Sequence, residues 1–314
     1  MEIVRLEGRP PQRPGAAAVT VGNFDGVHRG HQALVEAVVE EARAHAGEAV
    51  ALTFDPHPSR VLAPERAPAS LMTVEQRAEI LGALGMSRLA VLPFTRELSH
   101  EPAEEFVRKV LVQALGSRMV VVGFNFRFGR DRAGDVAALQ DLGRRLGFGV
   151  RALPPVLSDG APVSSTRVRE AVLRGSVEAA RELLGRSYFV DGAVVRGLGR
   201  GRSLGIPTAN LDPVNEILPG GGVYAARCRV EGGGEVSAVV NVGRRPTFGG
   251  GAMLLEAHLL DFQGDLYGSR LRVGFERRLR DEARFPDAEA LRRQILRDIE
   301  AARRVLEQPR GIGV

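Results

Sequence analysis

Two histidines, His28 and His31, lie three residues apart in the segment GNFDGVHRGH, where an apolar run gives way to a helical pattern. Residues i and i+3 of a helix share a face, so we expect both imidazoles on one side of its first turn. Unpaired N–H groups at a helix start suit a phosphate, and imidazoles can stabilise charge that builds on phosphate oxygens. This pattern favours nucleotidyl transfer. Metal ligation by the pair is the alternative, for which the segment offers no third ligand.

The loop before these histidines is suited to close contact with a ligand. Gly22 and Gly26 allow the backbone to approach a bound group. We therefore predict nucleotide binding by Gly22, Phe24, Asp25 and Gly26.

A second phosphate-binding candidate is the segment SSTRVRE at 164–170. Serine and threonine are good helix N-caps, and the guanidinium of Arg169 can form two parallel hydrogen bonds with a phosphate. We predict that Ser165, Thr166 and Arg169 bind nucleotide; a plain helix cap is the alternative.

A third candidate is the glycine-rich segment DGAVVRGLGRGRSLGIPTANL at 191–211, which does not match a Walker P-loop. We expect Gly199 and Gly205 to belong to a flap over nucleotide phosphates. Thr208 and Asn210 lie at i and i+2, so an extended strand projects both to one face, where their oxygens could ligate Mg²⁺. Taken alone, the pair is also typical of a turn.

The elements that must position these residues change character near residue 186. Before it, β-rich runs at 16–24, 48–54, 88–94, 118–124 and 148–154 alternate with helical patterns, which predicts a doubly wound parallel α/β sheet. After it, short β-patterned runs separated by glycine-rich turns predict a small antiparallel barrel or sandwich, and Asp287 to Leu306 returns to helical spacing. We predict two domains, 1–186 and 187–314.

Composition limits the partners and the compartment. The 314 residues carry a net charge of +5, and Lys109 is the only lysine among 43 basic residues. Because the arginines are scattered among acidic residues, we do not expect nucleic-acid binding. Apolar runs are too short for a membrane helix, the start MEIVRLEGRP lacks a signal-peptide core, and Cys228 is the only cysteine. We expect a soluble cytoplasmic protein, and the sequence leaves self-association open.

The N-terminal motifs GNFDGVHRGH, TFDPHP, VVGFNFRFG and SSTRVRE resemble, in order and spacing, the FMN adenylyltransferase module of bacterial bifunctional riboflavin kinase/FAD synthetases. The resemblance implies a Rossmann-like nucleotidyltransferase fold in which His28 and His31 contact the ATP phosphates. It also implies that Ser165, Thr166 and Arg169 bind phosphates at a second helix start.

The resemblance places flavin near the two remaining N-terminal motifs. Pro56 and Pro58 make a rigid turn around His57. The next segment combines apolar rings with polar side chains, as a planar isoalloxazine requires. The flavin-binding residues we predict are Pro56, His57, Pro58, Asn125, Phe126, Arg127 and Phe128. The alternatives are that His57 is a turn residue and that one phenylalanine or more simply packs a strand end; Asn125 stands where many relatives carry aspartate.

The C-terminal motifs GRSLGIPTANL, PGGGVYA, NVGRRPTF and LEAHLLDFQGDLYG resemble the riboflavin kinase module, a small antiparallel barrel followed by a helix. The resemblance implies that Thr208 and Asn210 help to hold Mg-ATP. It makes Glu256 the general base for the ribityl 5′-hydroxyl of riboflavin, because an alcohol is a poor nucleophile until its proton is taken. We interpret His258 as a polar neighbour. The loop at 248–253 departs from the family by being short and rich in glycine.

Together the motifs imply riboflavin, FMN and ATP as substrates, Mg²⁺ as the metal, and two reactions: riboflavin to FMN, then FMN to FAD with release of pyrophosphate. Two alternatives remain. One is an enzyme with a single active module; the other is a flavin- or nucleic-acid-binding regulator that keeps the scaffold without turnover.

Overall fold

A computed structural model describes residues 1–6, 17–197, 205–244 and 253–307. These residues form two compact units, Met1–Val163 and Ser164–Val314.

The first unit contains eight described strands. They are β1 (Glu2–Arg5), β2 (Ala17–Val21), β3 (Glu48–Asp55), β4 (Arg88–Pro93), β5 (Ser117–Gly123), β6 (Gly149–Leu153), β7 (Leu157–Ser158) and β8 (Ala161–Pro162). Strands β1 to β6 make one sheet in the order β1-β4-β3-β2-β5-β6, and every pairing in it is parallel. Strands β7 and β8 form a separate antiparallel pair. The predicted doubly wound parallel sheet is confirmed.

Helical segments connect these strands. They are α1 (Arg29–Ala44), α2 (Pro58–Leu62), α3 (Val74–Ala83), α4 (Arg96–Ser99), α5 (Ala103–Phe106) and α6 (Val136–Leu146), with 3₁₀ turns at Pro64–Arg66 and Arg130–Arg132. The helical pattern between the β-rich runs at 88–94 and 118–124 includes α5, which continues as a π-helix over Val107–Ala114. All five residues of the central strand β2 are buried, as expected for a parallel strand covered on both faces.

The order of the sheet reverses between β2 and β5. The chain moves outward from β2 through β3 to β4, and then returns to the other side of β2 with β5 and β6. Ligands of open α/β sheets bind outside the carboxyl ends of the strands at such a switch point. The loops that follow β2, β3 and β5 carry the predicted motifs GNFDGVHRGH, DPHP and FNFRFG.

The second unit begins with two helices, α7 (Ser165–Leu173) and α8 (Val177–Leu184). The predicted domain 1–186 includes both helices, but compactness groups them with the barrel. Arg181 on α8 explains this, because its Nη1 lies 3.0 Å from Oε2 of the buried Glu276 on a barrel strand. The boundary between residues 186 and 187 remains a prediction about the functional modules.

The barrel closes in the order β10-β13-β12-β11-β14-β9, with antiparallel neighbours throughout. Its strands are β9 (Tyr188–Val195), β10 (Ala209–Pro213), β11 (Gly222–Val230), β12 (Glu235–Arg244), β13 (Met253–Leu259) and β14 (Arg270–Arg280). Alternate side chains of each strand fill the interior, among them Tyr224, Val240, Leu255 and Phe275, all without solvent exposure. The barrel alternative is therefore the correct one.

The terminal helix α9 (Ala288–Leu306) covers part of the outside of the barrel. Its Ala302 and Leu306 pack against Val223, Ala225 and Val239 on the outer face of β11 and β12. Asp298 on α9 is buried, and both of its carboxylate oxygens accept hydrogen bonds from the guanidinium of Arg280. The predicted terminal helix is confirmed.

Candidate active sites in the two units

His28 is both a candidate catalytic group and the N-cap of α1. Its Nδ1 accepts a hydrogen bond from the backbone N–H of His31 at 3.3 Å, and its side chain is buried. A neutral imidazole carries one proton, so this bond leaves the proton on Nε2. The helix cap thus makes Nε2 of His28 a hydrogen-bond donor.

The rings of His28 and His31 are stacked, with centroids 3.7 Å apart and an angle of 13° between planes. Phe24 contacts His31 edge-on at 5.2 Å. Glycine at position 30 suits this packing, because a Cβ there would lie 3.2 Å from two atoms of the His28 ring and would press on it. The H-x-G-H spacing therefore brings the two imidazoles together, as predicted.

The loop between β2 and α1 is shaped by buried groups. Phe24 is fully buried with a φ of 48°, and Gly26 has a φ of 85° that favours glycine. The carboxylate of Asp25 is buried and accepts hydrogen bonds from the backbone N–H groups of Leu71 and Met72 at 2.9 and 3.2 Å. These contacts give Asp25 a structural role, and nucleotide binding by this residue remains a prediction.

Arg77 on α3 holds the same loop and was not found by sequence reasoning. The guanidinium is buried; Nη1 donates to the carbonyl of Asn23 at 2.9 Å and to Oγ1 of Thr53 at 3.3 Å. Burial lowers the pKa of Arg77, and the nearby carboxylates of Asp25 and Asp55 partly oppose this shift. Arg77 thus fixes the path of the chain five residues before His28.

His57 connects the loop after β3 with the loop after β2. Its Nδ1 accepts a hydrogen bond from the backbone N–H of Ser59 at 3.2 Å and so caps α2, and its Nε2 lies 2.9 Å from Nδ2 of Asn23. The turn contains a cis peptide bond between Asp55 and Pro56 and continues through Pro58. The predicted turn role is therefore present, and it places the ring against the loop of the histidine pair.

The loop after β5 separates its aromatic residues into two environments. Phe128 is buried and packs near Phe106, with centroids 6.1 Å apart, so it serves the core. Phe126 stacks on Phe128 at 5.4 Å and is half-buried, and Asn125 is exposed. The guanidinium of Arg127 pairs with Asp135 at 3.3 Å. The packing alternative holds for Phe128, which leaves Phe126 as the ring better placed to meet a ligand.

The candidate phosphate-binding residues of α7 lie in its first turns. The cap is Ser164, whose Oγ accepts from the backbone N–H of Arg167 at 3.4 Å. Ser165 and Thr166 are therefore the first two helical residues rather than caps, and Arg169 is half-buried one turn further on.

The residues predicted for the kinase reaction lie together on the outer face of the barrel. Glu256 on β13 lies directly opposite Asn210 on β10 and, on its other side, opposite Asn241 on β12. Directly opposed residues point to the same face and have Cβ atoms about 4.5–5.5 Å apart. Glu256 is half-buried between these two amides. Asn210 is buried, and a Cβ on Gly197 would collide with its side chain.

Thr208 and His258 lie one step further along the same face. Nδ1 of His258 contacts the carbonyl oxygen of Pro207 at 2.7 Å, which supports its interpretation as a polar neighbour. Gly205 has a φ of 73°, the left-handed region that glycine adopts readily. Gly199 and nearly all of the loop at 248–253 lie outside the described residues.

A cavity of about 100 Å³ opens beside Thr208 at the end of the barrel. Its other walls are formed by apolar residues of three strands, by Pro207, by Phe262 and by the segment from Gly264 to Tyr267. The lining is therefore mixed, with apolar side chains beside the polar groups of Thr208, Asp265 and Tyr267.

Comparison with known proteins distinguishes the candidate functions. Two family models match: FAD synthetase over residues 11–167 and riboflavin kinase over residues 184–306. A protein of Pseudomonas fluorescens named bifunctional riboflavin kinase/FMN adenylyltransferase is 42% identical, covering 96% of this chain and 97% of that protein. The chain belongs to this family. An Escherichia coli K12 protein of the same name is 36% identical, over 96% of this chain and 97% of its own length.

The family's fold extends to a solved structure whose title describes a macrolide-efflux protein from Streptococcus pneumoniae. It is 30% identical, with a TM-score of 0.88, and covers 96% of this chain and 99% of the other. Within the part of the present chain that the structure describes, no helix is long and apolar enough to cross a membrane.

The same described part also contains no group of three histidine, cysteine, aspartate or glutamate side chains placed to hold a metal. The Mg²⁺ that the sequence resemblance implies would take neutral oxygen ligands, a kind that Thr208 and Asn210 provide. The buried Asn210 beside the Glu256 carboxylate fits such an ion.

Proposed function

We propose that this chain phosphorylates riboflavin to FMN with ATP in its barrel, and adenylylates FMN to FAD with a second ATP in its parallel-sheet unit. The observation that carries the proposal is the presence of both motif sets in one chain that matches bifunctional relatives over 96% of its length. The row Asn210–Glu256–Asn241 and the stacked pair His28–His31 supply a distinct polar centre for each reaction.

In the adenylyl transfer, a phosphate oxygen of FMN attacks the α-phosphorus of ATP and pyrophosphate leaves. No bond to the protein is needed, so positioning and stabilisation of charge supply the catalysis. The Nε2–H of His28 is directed by the helix cap and donates to a phosphate oxygen as negative charge builds there. The ring of His31 is stacked on the ring of His28, so we expect both imidazoles to face the same phosphates.

Flavin for this step would lie at the carboxyl edge of the sheet, near Pro56, His57, Pro58 and Phe126. The contact between His57 and Asn23 supports this placement because it joins the flavin-side turn to the phosphate-side loop. Ser165, Thr166 and Arg169 at the start of α7 remain our predicted nucleotide-binding residues for this reaction.

In the phosphorylation, the ribityl 5′-hydroxyl attacks the γ-phosphorus of ATP, the bond to the bridging oxygen breaks and ADP leaves. Glu256 takes the hydroxyl proton as the new bond forms. Thr208 and Asn210 would hold Mg²⁺, which neutralises phosphate charge when bound. The cavity beside Thr208 combines apolar walls with a few polar groups, which suits the flat base of the nucleotide.

The alternatives predict different products. A chain with one active module would form FMN from riboflavin without FAD, or FAD only from supplied FMN. A regulator would bind flavin or nucleic acid without turnover, and binding through basic residues would weaken steeply with added salt. We propose no nucleic-acid partner, and a cytoplasmic location that agrees with the use of ATP.

The fate of labelled ATP tests the proposal at the level of bonds. With riboflavin and Mg²⁺, label in the γ-phosphate of ATP is expected in both FMN and FAD. Label in the α-phosphate is expected in FAD and never in FMN. Transfer of neither label to a flavin would refute the proposed function.

A further inference from the structure

The polar row of the barrel continues past Asn241 to a second carboxylate. Glu282 follows β14, and its carboxylate lies over two glycines, Gly243 on β12 and Gly221 just before β11. A Cβ on Gly243 would collide with Oε1 of Glu282, and a Cβ on Gly221 would lie 2.8 Å from Oε2. These two glycines therefore leave the room that the carboxylate occupies.

Asn241 joins this carboxylate to the Glu256 region. Nδ2 of Asn241 lies 3.6 Å from the same Cβ position on Gly243, so its amide leans toward Glu282. On its other side Asn241 is directly opposite Glu256. The three side chains form a track on the outer face of the barrel, in the order Glu256, Asn241, Glu282.

The chemistry of the track differs on the two sides of Glu256. Thr208 and Asn210 lie on one side, where neutral oxygens suit a cation and its phosphates. On the other side, an amide is followed by a carboxylate, which would repel phosphate but accepts hydrogen bonds from neutral hydroxyl groups. Strands are about 4.8 Å apart, a distance comparable to the span of a few carbons of an extended polyol.

We propose that Asn241 and Glu282 bind the inner hydroxyl groups of the ribityl chain and so select a polyol-bearing flavin. This inference rests on the proposed riboflavin kinase activity. Glu256 takes the proton of the terminal hydroxyl, while Asn241 and Glu282 hold the chain that carries it. A hydrogen bond to a charged group is worth about 1.5–3 kcal/mol, so each lost contact lowers kcat/KM by about 10- to 100-fold.

The test compares riboflavin with a flavin whose N10 substituent is 5-hydroxypentyl, which keeps the terminal hydroxyl and lacks the inner ones. The ratio of the two kcat/KM values for phosphorylation measures recognition of the inner hydroxyls. We expect E282Q and N241L to lower this ratio at least about tenfold, with little change for the hydroxypentyl flavin. A purely structural role would affect both substrates equally.

Two further variants make the test specific. Gly243→Ala should reproduce the effect of E282Q, because the added methyl meets mainly the flexible end of Glu282. D281N removes the same charge one residue earlier, at a side chain that is 85% exposed and paired with Arg278 at 3.1 Å, and should leave the ratio unchanged.

The outcomes separate the two proposals. If the unmodified chain does not phosphorylate riboflavin, the proposed kinase function fails. If it does, and E282Q, N241L and Gly243→Ala all keep the unmodified ratio, the assignment of the track is wrong. Should one variant fail to fold, as judged by its FMN adenylylation and thermal unfolding, the other two decide.

Discussion

Nδ1 of His28 accepts the backbone N–H of His31 while the two imidazole rings lie parallel, 3.7 Å apart. One side chain therefore caps a helix and presents a proton donor at the same time. Gly30 supports the arrangement, because a Cβ at this position would lie 3.2 Å from the His28 ring. Helix capping and phosphate recognition are thus coupled in this motif.

Substitution of His28 separates these two roles. Asparagine keeps an N-cap acceptor but loses the Nε2 donor, whereas alanine loses both. We expect both variants to lower FMN adenylylation by about 10²- to 10³-fold, the usual cost of a lost charge-stabilising donor. Only H28A should also lose about 1 kcal/mol of unfolding free energy in urea. Riboflavin phosphorylation is the internal control, and adenylylation at the unmodified rate in H28N would contradict the donor role.

Glu256→Gln tests the base of the barrel reaction. The amide keeps the shape of the side chain but cannot take the hydroxyl proton, so kcat for riboflavin phosphorylation should fall by about 10²- to 10⁴-fold. Conversion of supplied FMN to FAD should continue at the unmodified rate. Kinase activity that survives in this variant would remove Glu256 from the role of base.

Thr208→Val tests the proposed metal ligands. Valine has the shape of threonine without its hydroxyl, so the Mg²⁺ concentration for half-maximal kinase activity should rise roughly tenfold. The Mg²⁺ concentration for half-maximal FMN adenylylation in the same sample should not change. An unchanged Mg²⁺ titration of the kinase would argue against Thr208 as a ligand.

Arg77→Met tests the support of the loop after β2. Loss of the buried guanidinium removes one of two donors to the carbonyl of Asn23, the other being the hydroxyl of Thr53, at a cost of about 1–3 kcal/mol in unfolding free energy. We expect adenylylation to fall with little effect on phosphorylation. The exposed Arg43→Met is the matched control and should change stability by less than about 0.5 kcal/mol. Equal stability of the two variants would show that Arg77 does not hold the loop.

Cys228 provides a pH-dependent prediction. It is fully buried inside the barrel, and burial raises the pKa of its thiol from 9.0 to about 12. As the pH rises, the thiol of the unfolded chain ionises before that of the folded protein. The contribution of this group to the free energy of unfolding is therefore kept below pH 9 and lost toward pH 12, by about 1.4 kcal/mol per pH unit. The native protein should not react with a thiol reagent at pH 8 and should react fully in guanidinium. The Cys228→Ala variant should lack that part of the alkaline loss; rapid labelling of the native protein would contradict the burial.

The sequence was sufficient for features that repeat locally. Alternation of apolar strands with helical patterns predicted the parallel sheet, and short β-runs predicted an antiparallel unit. Alternation alone does not indicate β10, because ANLDP shows no clear pattern of apolar and polar residues, although the spacing of Thr208 and Asn210 suits an extended strand. Strand β1 is a short edge strand that likewise gives no signal. The π-helical continuation of α5 has no signal in composition.

Contacts between residues that are distant in the chain could not be predicted from the sequence. Arg77 and Asn23 are 54 residues apart, and only folding shows that they share a hydrogen bond. The placement of Glu282 over Gly243 likewise depends on barrel closure. Ser164 rather than Ser165 caps α7, a choice that two adjacent serines do not reveal. Motif residues were thus predictable, whereas the residues that support them were not.

The most direct measurement of the central claim is a time course in which the purified chain, riboflavin, ATP and Mg²⁺ are incubated and the flavins are separated by chromatography. Our account predicts that riboflavin declines, FMN rises first and then FAD accumulates at its expense. Riboflavin that stays constant, together with supplied FMN that is never converted to FAD, would contradict it.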